Sequence, residues 1–301
     1  MRALIALVLV LVASSVTAHA GVSIVATLPD LGALAREVAG PDAAVTVLVE
    51  PNQDPHYVDP RPSFLVALSR ADVLLYNGLD LEVGWLPPLV TNARNPRIQK
   101  GAIGNVDASS LVTEKLQVPS GKVDRAMGDI HPGGNPHFTL SPDALAEIAR
   151  GLGGRLALLD GKNGVAYARR AEALAQQLAA VADAQRARFR GLAPERRRVV
   201  VYHDSLPYLS PWLGLEQIAT IEEKPGIKPS PAQVAAVLER MRTQGARVIL
   251  QERWHPEAAS KNLATLAGGK VVALEGGAGP KQSLAARLEA LSQAVFDALA
   301  Q

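Results

Sequence analysis

The sequence predicts an α/β protein of two lobes, each with a mainly parallel sheet flanked by helices, joined by one long rigid helix. Three observations carry this. Short β-branched runs alternate with helical patterns in both halves, the signature of βα units. Between the halves, Asn163 to Phe189 is almost exclusively Ala, Leu, Gln, Glu and Arg, with apolar residues at Leu174, Leu178, Val181 and Ala182. Roughly 280 residues remain after an N-terminal leader, ample for a large core and enough for two domains.

The elements follow in order. Residues 1–20 read as a cleavable signal peptide: Arg2 is the positive end, Leu4 to Val12 the apolar stretch, and Ala18-His19-Ala20 places small residues at the cleavage site. Residues 21–160 form the expected first lobe. In it Ser23–Thr27 is a strand, Pro29–Val38 its helix, and Val45–Val49 a second strand that runs into the loop holding His56. A helix over Ser63–Ala71 leads to a strand at Asp72–Tyr76. From Leu86 to Gly134, Pro, Gly and Asn are dense, and the segment reads as loop. Ser141-Pro142-Asp143 combines a capping hydroxyl with proline at the first helical position, so a helix should start there and run to about Leu159.

The linking helix falls in residues 161–192. At 1.5 Å per residue it would be roughly 40 Å long, with Gly191 and Pro194 to stop it. In the second lobe, residues 193–301, strands are expected at Arg198–Tyr202, Leu215–Ile221, Arg247–Leu250 and Lys270–Leu274. Helices are expected at Pro231–Gln244, Glu257–Ala267 and Ser283–Ala300. No low-complexity linker separates the lobes, which should therefore not swing widely.

Composition narrows the function. The chain has no cysteine, which removes disulfides, thiolate ligands and a lipidated cysteine as membrane anchor. No later run is long and apolar enough to span a bilayer, so the mature chain is expected free in the periplasm. A formal charge of +2, one unit of it from Arg2 in the leader, is too balanced to suggest nucleic acid or an anionic membrane as partner. Aromatic residues at 4% argue mildly against a sugar- or base-stacking groove.

Three histidines stand in distant loops: Asp54-Pro55-His56-Tyr57, Gly134-Asn135-Pro136-His137-Phe138 and Tyr202-His203-Asp204-Ser205. They can converge only through the fold, and one transition metal ion is the usual reason for such convergence. Proline stiffens the first two loops. His203 ends a strand, on the side where open α/β sheets bind ligands. Each histidine alone reads equally as an ordinary hydrogen-bonded loop side chain, so the histidines by themselves leave a metal site open. His131, in Asp129-Ile130-His131-Pro132, is a loop residue, a supporting group or an alternative ligand. His255, after Trp254 at a helix start, reads as a surface or packing residue.

The run Pro55-His56-Tyr57-Val58-Asp59-Pro60-Arg61-Pro62-Ser63 resembles the first ligand motif of the zinc- and manganese-binding receptors of bacterial ABC importers. Asn135-Pro136-His137-Phe138 with Leu140-Ser141-Pro142 resembles their second, and Tyr202-His203-Asp204-Ser205 their third. Lys224-Pro225-Gly226-Ile227-Lys228-Pro229-Ser230 is similar to a family loop that follows it. The resemblance covers essentially the whole mature chain. It implies two lobes bridged by a long helix, one metal between them, His56, His137 and His203 as ligands, a membrane permease as partner, and a monomer. Loading by a periplasmic metallochaperone stays open.

Where manganese receptors of the family tend to place a carboxylate, this chain has His203, and a third imidazole suits zinc better. Zn(II) is thus the expected cargo, with manganese or a metal chelate the alternative. The family commonly supplies a fourth ligand, Asp or Glu, after the last central strand. Here that loop reads Leu274-Glu275-Gly276-Gly277-Ala278-Gly279, and Glu275 is the expected ligand; Glu252 or a water stands in reserve. The long His- and Asp-rich loop of many zinc receptors is absent. A periplasmic zinc hydrolase is the competing class, since a three-histidine zinc with an open position can be catalytic. No His-Glu-x-x-His helix supports it, and no enzyme activity is expected.

Overall fold

The structure, a computed structural model, describes residues 21–121, 123, 128, 130–224 and 226–301. The expected signal peptide lies outside them. The first sheet has β1 (Ser23–Ala26), β2 (Ala44–Val47), β3 (Val73–Tyr76) and β4 (Asn105–Asp107) in the order β2-β1-β3-β4, all parallel. The second repeats that order with β5 (Arg198–Val201), β6 (Glu216–Thr220), β7 (Val248–Glu252) and β8 (Lys270–Leu274) as β6-β5-β7-β8. In each lobe the chain thus starts on an inner strand and crosses over to either side. The carboxyl ends of β1 and β5 become the floor of a site between the lobes.

Helices α1 (Pro29–Ala39), α2 (Pro62–Arg70), α3 (Leu86–Ala93) and α4 (Pro142–Leu159) belong to the first lobe. After the long α5 (Gly164–Arg190) come α6 (Leu209–Leu213), α7 (Pro231–Gln244), α8 (Glu257–Ala267) and α9 (Leu284–Ala300). Serine caps start three of them, the expected one at Ser141 and two more at Ser230 and Ser283. The Ser141 hydroxyl accepts from Ala144 N–H, Ser230 from Gln233 N–H and Ser283 from Ala286 N–H, at 3.1–3.2 Å. Each such cap stabilises a helix start by about 1 kcal/mol.

The stretch read as loop, Leu86 to Gly134, holds more structure than expected: α3, β4 and two 3₁₀ turns, Pro96–Ile98 and Ala108–Leu111. Helix α3 places Pro87 and Pro88 in its first turn, where no intrahelical N–H is needed. Strand β4 is 3 residues long, too short to show a period. The brief α6, with Pro211 inside it, was hidden for the same reason. Strand β7 runs on to Glu252, two residues past its expected end, and so places that carboxylate at the edge of the site.

Helix α5 has 27 residues, about 40 Å of rise, and packs on α1, α4 and α9. It anchors a single apolar core that crosses from lobe to lobe and takes in Leu34, Leu152, Leu178, Phe189, Val199 and Leu291. Strand β5 shows how the second sheet divides its faces. Val199 and Val201 point into this shared core, while Val200 and Tyr202 point into a smaller cluster with Ile221, Met241 and Ile249. At its far end α5 meets α9, with the Phe189 and Phe296 rings 5.4 Å apart.

Polar ties reinforce the apolar ones. Ala278 N–H donates to the buried Asp30 carboxylate at 2.7 Å, Leu284 N–H to Glu37 at 2.8 Å, and Gly276 N–H to Pro51 C=O at 2.8 Å. Two lobes sharing a core and these bonds have little freedom to hinge. No helix of the described residues is long and apolar enough to cross a membrane.

Leu178 is fully buried at the middle of α5. Leu178→Ala should destabilise the chain by about 2–5 kcal/mol, read by chemical denaturation, and one cooperative transition should report both lobes together.

Candidate metal centre

Three side chains from three loops meet between the lobes. The ligand-capable atoms of His56, His137 and His203 all lie within 4.8 Å of one another, the one such group among the described residues. Ring centroids are 5.5 Å apart for His56 and His137, 5.7 Å for His56 and His203, and 5.4 Å for His137 and His203. His203 follows β5 directly and is buried; the other two are partly buried.

The first two loops share a local device. In Asp54-Pro55-His56 the Asp54 Oδ1 accepts both the His56 backbone N–H, at 3.0 Å, and its ring Nδ1–H, at 2.8 Å. In Asn135-Pro136-His137 the Asn135 Oδ1 accepts the same two groups of His137 at the same 3.0 and 2.8 Å. A short Asx side chain two residues upstream can close this turn, and proline between them fixes φ. Each proline carbonyl is then pinned by a buried donor. The Trp85 indole N–H reaches Pro55 C=O at 2.9 Å, and the Asn77 amide reaches Pro136 C=O at 2.9 Å.

His203 uses a long-range partner instead. Its Nδ1–H donates to Glu222 Oε2 at 2.8 Å, and Glu222, just past β6, also accepts Gly226 N–H at 3.2 Å. With each Nδ1 bonded to an oxygen, Nε2 is the nitrogen that each ring, when neutral, leaves for a ligand. That is the arrangement a borderline cation such as Zn(II) requires of neutral imidazoles.

The electrostatics fit the same purpose. Burial pushes the His137 imidazole well below the usual histidine range, and the neighbouring His203, His56 and His131 rings push it further, so it stays neutral. Burial also lowers His203, but the Glu222 hydrogen bond and the charges of Glu252, Glu222 and Asp54 more than offset it and leave His203 raised. Burial raises Asp54, yet the His56 hydrogen bonds and charge bring it below the ordinary carboxylate range. A dication at the centre would thus face the Asp54 carboxylate behind the His56 ring.

Beneath His137, the buried Glu82 ties the ends of β1 and β3 together, accepting from the Thr27 hydroxyl at 2.6 Å, Asn77 N–H at 2.7 Å and Gly78 N–H at 3.2 Å. Burial pushes its carboxyl up to about 7. Asn135 ties the lobes across the site, its amide donating to Gln117 Oε1 at 2.8 Å and to Asp204 C=O at 2.7 Å. Tyr208 adds a bridge, donating to Asn135 C=O at 3.0 Å and accepting Leu116 N–H at 2.8 Å.

Glu275, the expected fourth ligand, is not brought to the three histidines. It is half exposed and paired with Arg253, and its carbonyl accepts from Arg287. The glycines after it explain this. A Cβ on Gly276 would collide with the Trp254 ring, and one on Gly277 would press on Pro29, so the loop backbone is packed too tightly to turn the carboxylate inward. Glu252, the reserve, is buried with its Oε2 3.4 Å from His255 Nε2, and it too lies outside the group of three. His255 is indeed a packing residue, stacked on Tyr202 at 4.5 Å, but its ring also lies 5.6 Å from His203. The supporting roles of Asp54, Asn135 and Glu222 were not read from the sequence. The repeated Asx-Pro-His was a visible signal for the first two.

Asp54 only accepts, whereas Asn135 accepts and donates. Asp54→Asn should therefore keep metal affinity within a few-fold, and Asp54→Ala should lower it by about 10–100-fold, measured by chelator competition. Asn135→Asp should behave like the alanine change, because it loses the amide donor to Gln117 and to the Asp204 carbonyl of the second lobe.

Residues 24–299 match the family model described as zinc-uptake complex component A, periplasmic. The chain is 25% identical over 232 residues to the manganese ABC transporter substrate-binding lipoprotein PsaA of Streptococcus pneumoniae, covering 76% of this chain and 71% of that protein. It is 23% identical over 222 residues to the iron ABC transporter substrate-binding lipoprotein MtsA of Streptococcus pyogenes serotype M1, covering 73% and 68%. Its fold superimposes on a crystal structure of ZnuA with a TM-score of 0.77 at 24% identity, over 92% of this chain and 99% of that one. The laminin-binding adhesin Lmb of Streptococcus agalactiae gives 0.74 at 23% identity, over 91% and 100%. With the match running through nearly the whole length, this chain belongs to the family of periplasmic zinc-uptake complex components A.

Proposed function

We propose that this chain is the periplasmic receptor of an ABC importer, capturing one divalent transition metal between its lobes on His56, His137 and His203 and delivering it to a membrane permease. The observation that supports this most is the gathering of three histidines with ligand-capable atoms within 4.8 Å of one another, each ring held by a hydrogen bond at its Nδ1. Zn(II) is the favoured cargo. The group contains three imidazoles and no carboxylate, a softer set than manganese or iron sites built on oxygen. The relatives named for manganese and iron keep a harder cation as the alternative.

A receptor reading also suits the surroundings better than catalysis does. A cleft of about 620 Å³ opens onto the centre, and it is lined by His131, His137, His203, Asp204, Glu222 and Glu223. The cleft lies in one bonded, core-linked assembly, suited to holding a small ion. The metal would act as a cross-lobe clamp, giving a closed surface for the permease to recognise.

A competitive titration of residues 21–301 with Zn(II), after chelator stripping, should show one site, lost when His56, His137 and His203 are all changed to alanine. Survival of tight binding in that variant would refute the assignment. Affinity should also fall by more than about 10-fold between pH 7 and pH 5, because protons compete for imidazoles whose reference pKa is near 6.5. The direction follows from His203, whose raised pKa makes it take up a proton early as pH drops. A flat profile over that range would count against histidine ligation.

A further inference from the structure

His131 stands where a fourth donor is needed. Its Nε2 is 3.3 Å from His56 Nε2, with the rings 5.4 Å apart. Because His56 commits its Nδ1–H to Asp54, the neutral ring has a bare lone pair at Nε2. His131 Nε2–H therefore donates to the lone pair that a metal would use, and a change of tautomer, with the proton moved to its Nδ1, frees its own Nε2 for a cation. Two nitrogens bound to one tetrahedral Zn(II) at 2.0–2.1 Å are separated by about 3.3–3.4 Å. The observed spacing equals one edge of that tetrahedron.

The position of His131 is built rather than loose. Its carbonyl accepts Gly134 N–H at 3.1 Å, which closes a turn onto the Asn135-Pro136-His137 arm. Gly134 holds φ +112°, and a side chain there would crowd the Leu116 carbonyl at 3.0 Å, so glycine is required for the turn. Asn135 N–H donates back to Leu116 C=O at 2.9 Å. His131 also lines the open cleft while His56 does not, so it stands between solvent and His56. It lies outside the triangle of the other three, on the His56 side.

We propose that His131 is the fourth ligand, completing a four-imidazole site as the cation enters from the cleft. This rests on the receptor reading above and deepens it. The carboxylate candidates lie outside the histidine group: Glu275 pairs with Arg253, and Glu252 is buried with its Oε2 3.4 Å from His255 Nε2 and without a hydrogen-bond partner. Their place is taken by a neutral donor, and the charge of the dication is answered by Asp54 and Glu222 behind the rings. Four nitrogen donors without an oxygen favour zinc over manganese.

The test is X-ray absorption at the zinc edge, with chelator competition, on Zn(II)-loaded wild type, His131→Ala, His131→Asn and Glu275→Gln. Wild type should show four imidazoles and Glu275→Gln should match it. Both His131 variants should show three imidazoles plus one oxygen donor without the outer-shell scattering of a ring, and bind Zn(II) at least about 10-fold more weakly. Unchanged melting of the metal-free variants will show that they fold. Three imidazoles in wild type, with affinity unmoved by either His131 change, would overturn the fourth ligand and leave the receptor standing. Zinc bound by wild type without imidazole, or not bound at all, would overturn both.

Discussion

Each imidazole of the site spends its Nδ1–H on an oxygen, and much of the surrounding structure serves to keep those oxygens still. A free histidine side chain can present either nitrogen and many orientations. Here Asp54 and Asn135 are closed onto their own loops, with the carbonyls of Pro55 and Pro136 held by Trp85 and Asn77. Glu222 is fixed through strand β6, which lies beside the strand that delivers His203. Binding then needs little further ordering of the rings, and unfavourable entropy of binding is reduced accordingly. The neutral state is also prepared, since packing imidazoles together disfavours protonation of His137.

The same economy governs the lobes. One apolar core passes beneath the site from the first sheet to the second along α5. Asp30, Glu37 and Pro51 of the first lobe each take a backbone N–H from the β8–α9 region of the second. Motions that separate lobes in wide-hinged receptors would break this core. A shared core of this kind leaves adjustment on binding to loops at the rim.

How far this was legible follows from how local each signal is. The strand–helix alternation, the Ser141 cap and α5 were readable because period and capping chemistry lie within a few residues. Helix α3 and strand β4 were not, being short and placed among prolines and glycines. The three histidines were visible as motifs, and so was the Asx-Pro-His repeat that explains two of them. Glu222 was not, because its partnership with His203 exists only once β5 and β6 are paired. Glu275 illustrates the opposite limit: its position in the chain suited a ligand, and the packing of two glycines against Trp254 and Pro29 turned it away.

Asn135 has one further consequence. Its oxygen holds the His137 ring, while its nitrogen grips the Asp204 carbonyl of the opposite lobe. The amide is thus a lever with the ring of a proposed ligand on one arm and the second lobe on the other. A load that prises the lobes apart reaches His137 through this amide, and so bears on the cargo's coordination while the deeper core along α5 is still intact. A permease that pulls on both lobes would then need only a small displacement to unload the ion, and the emptied receptor could close again without refolding.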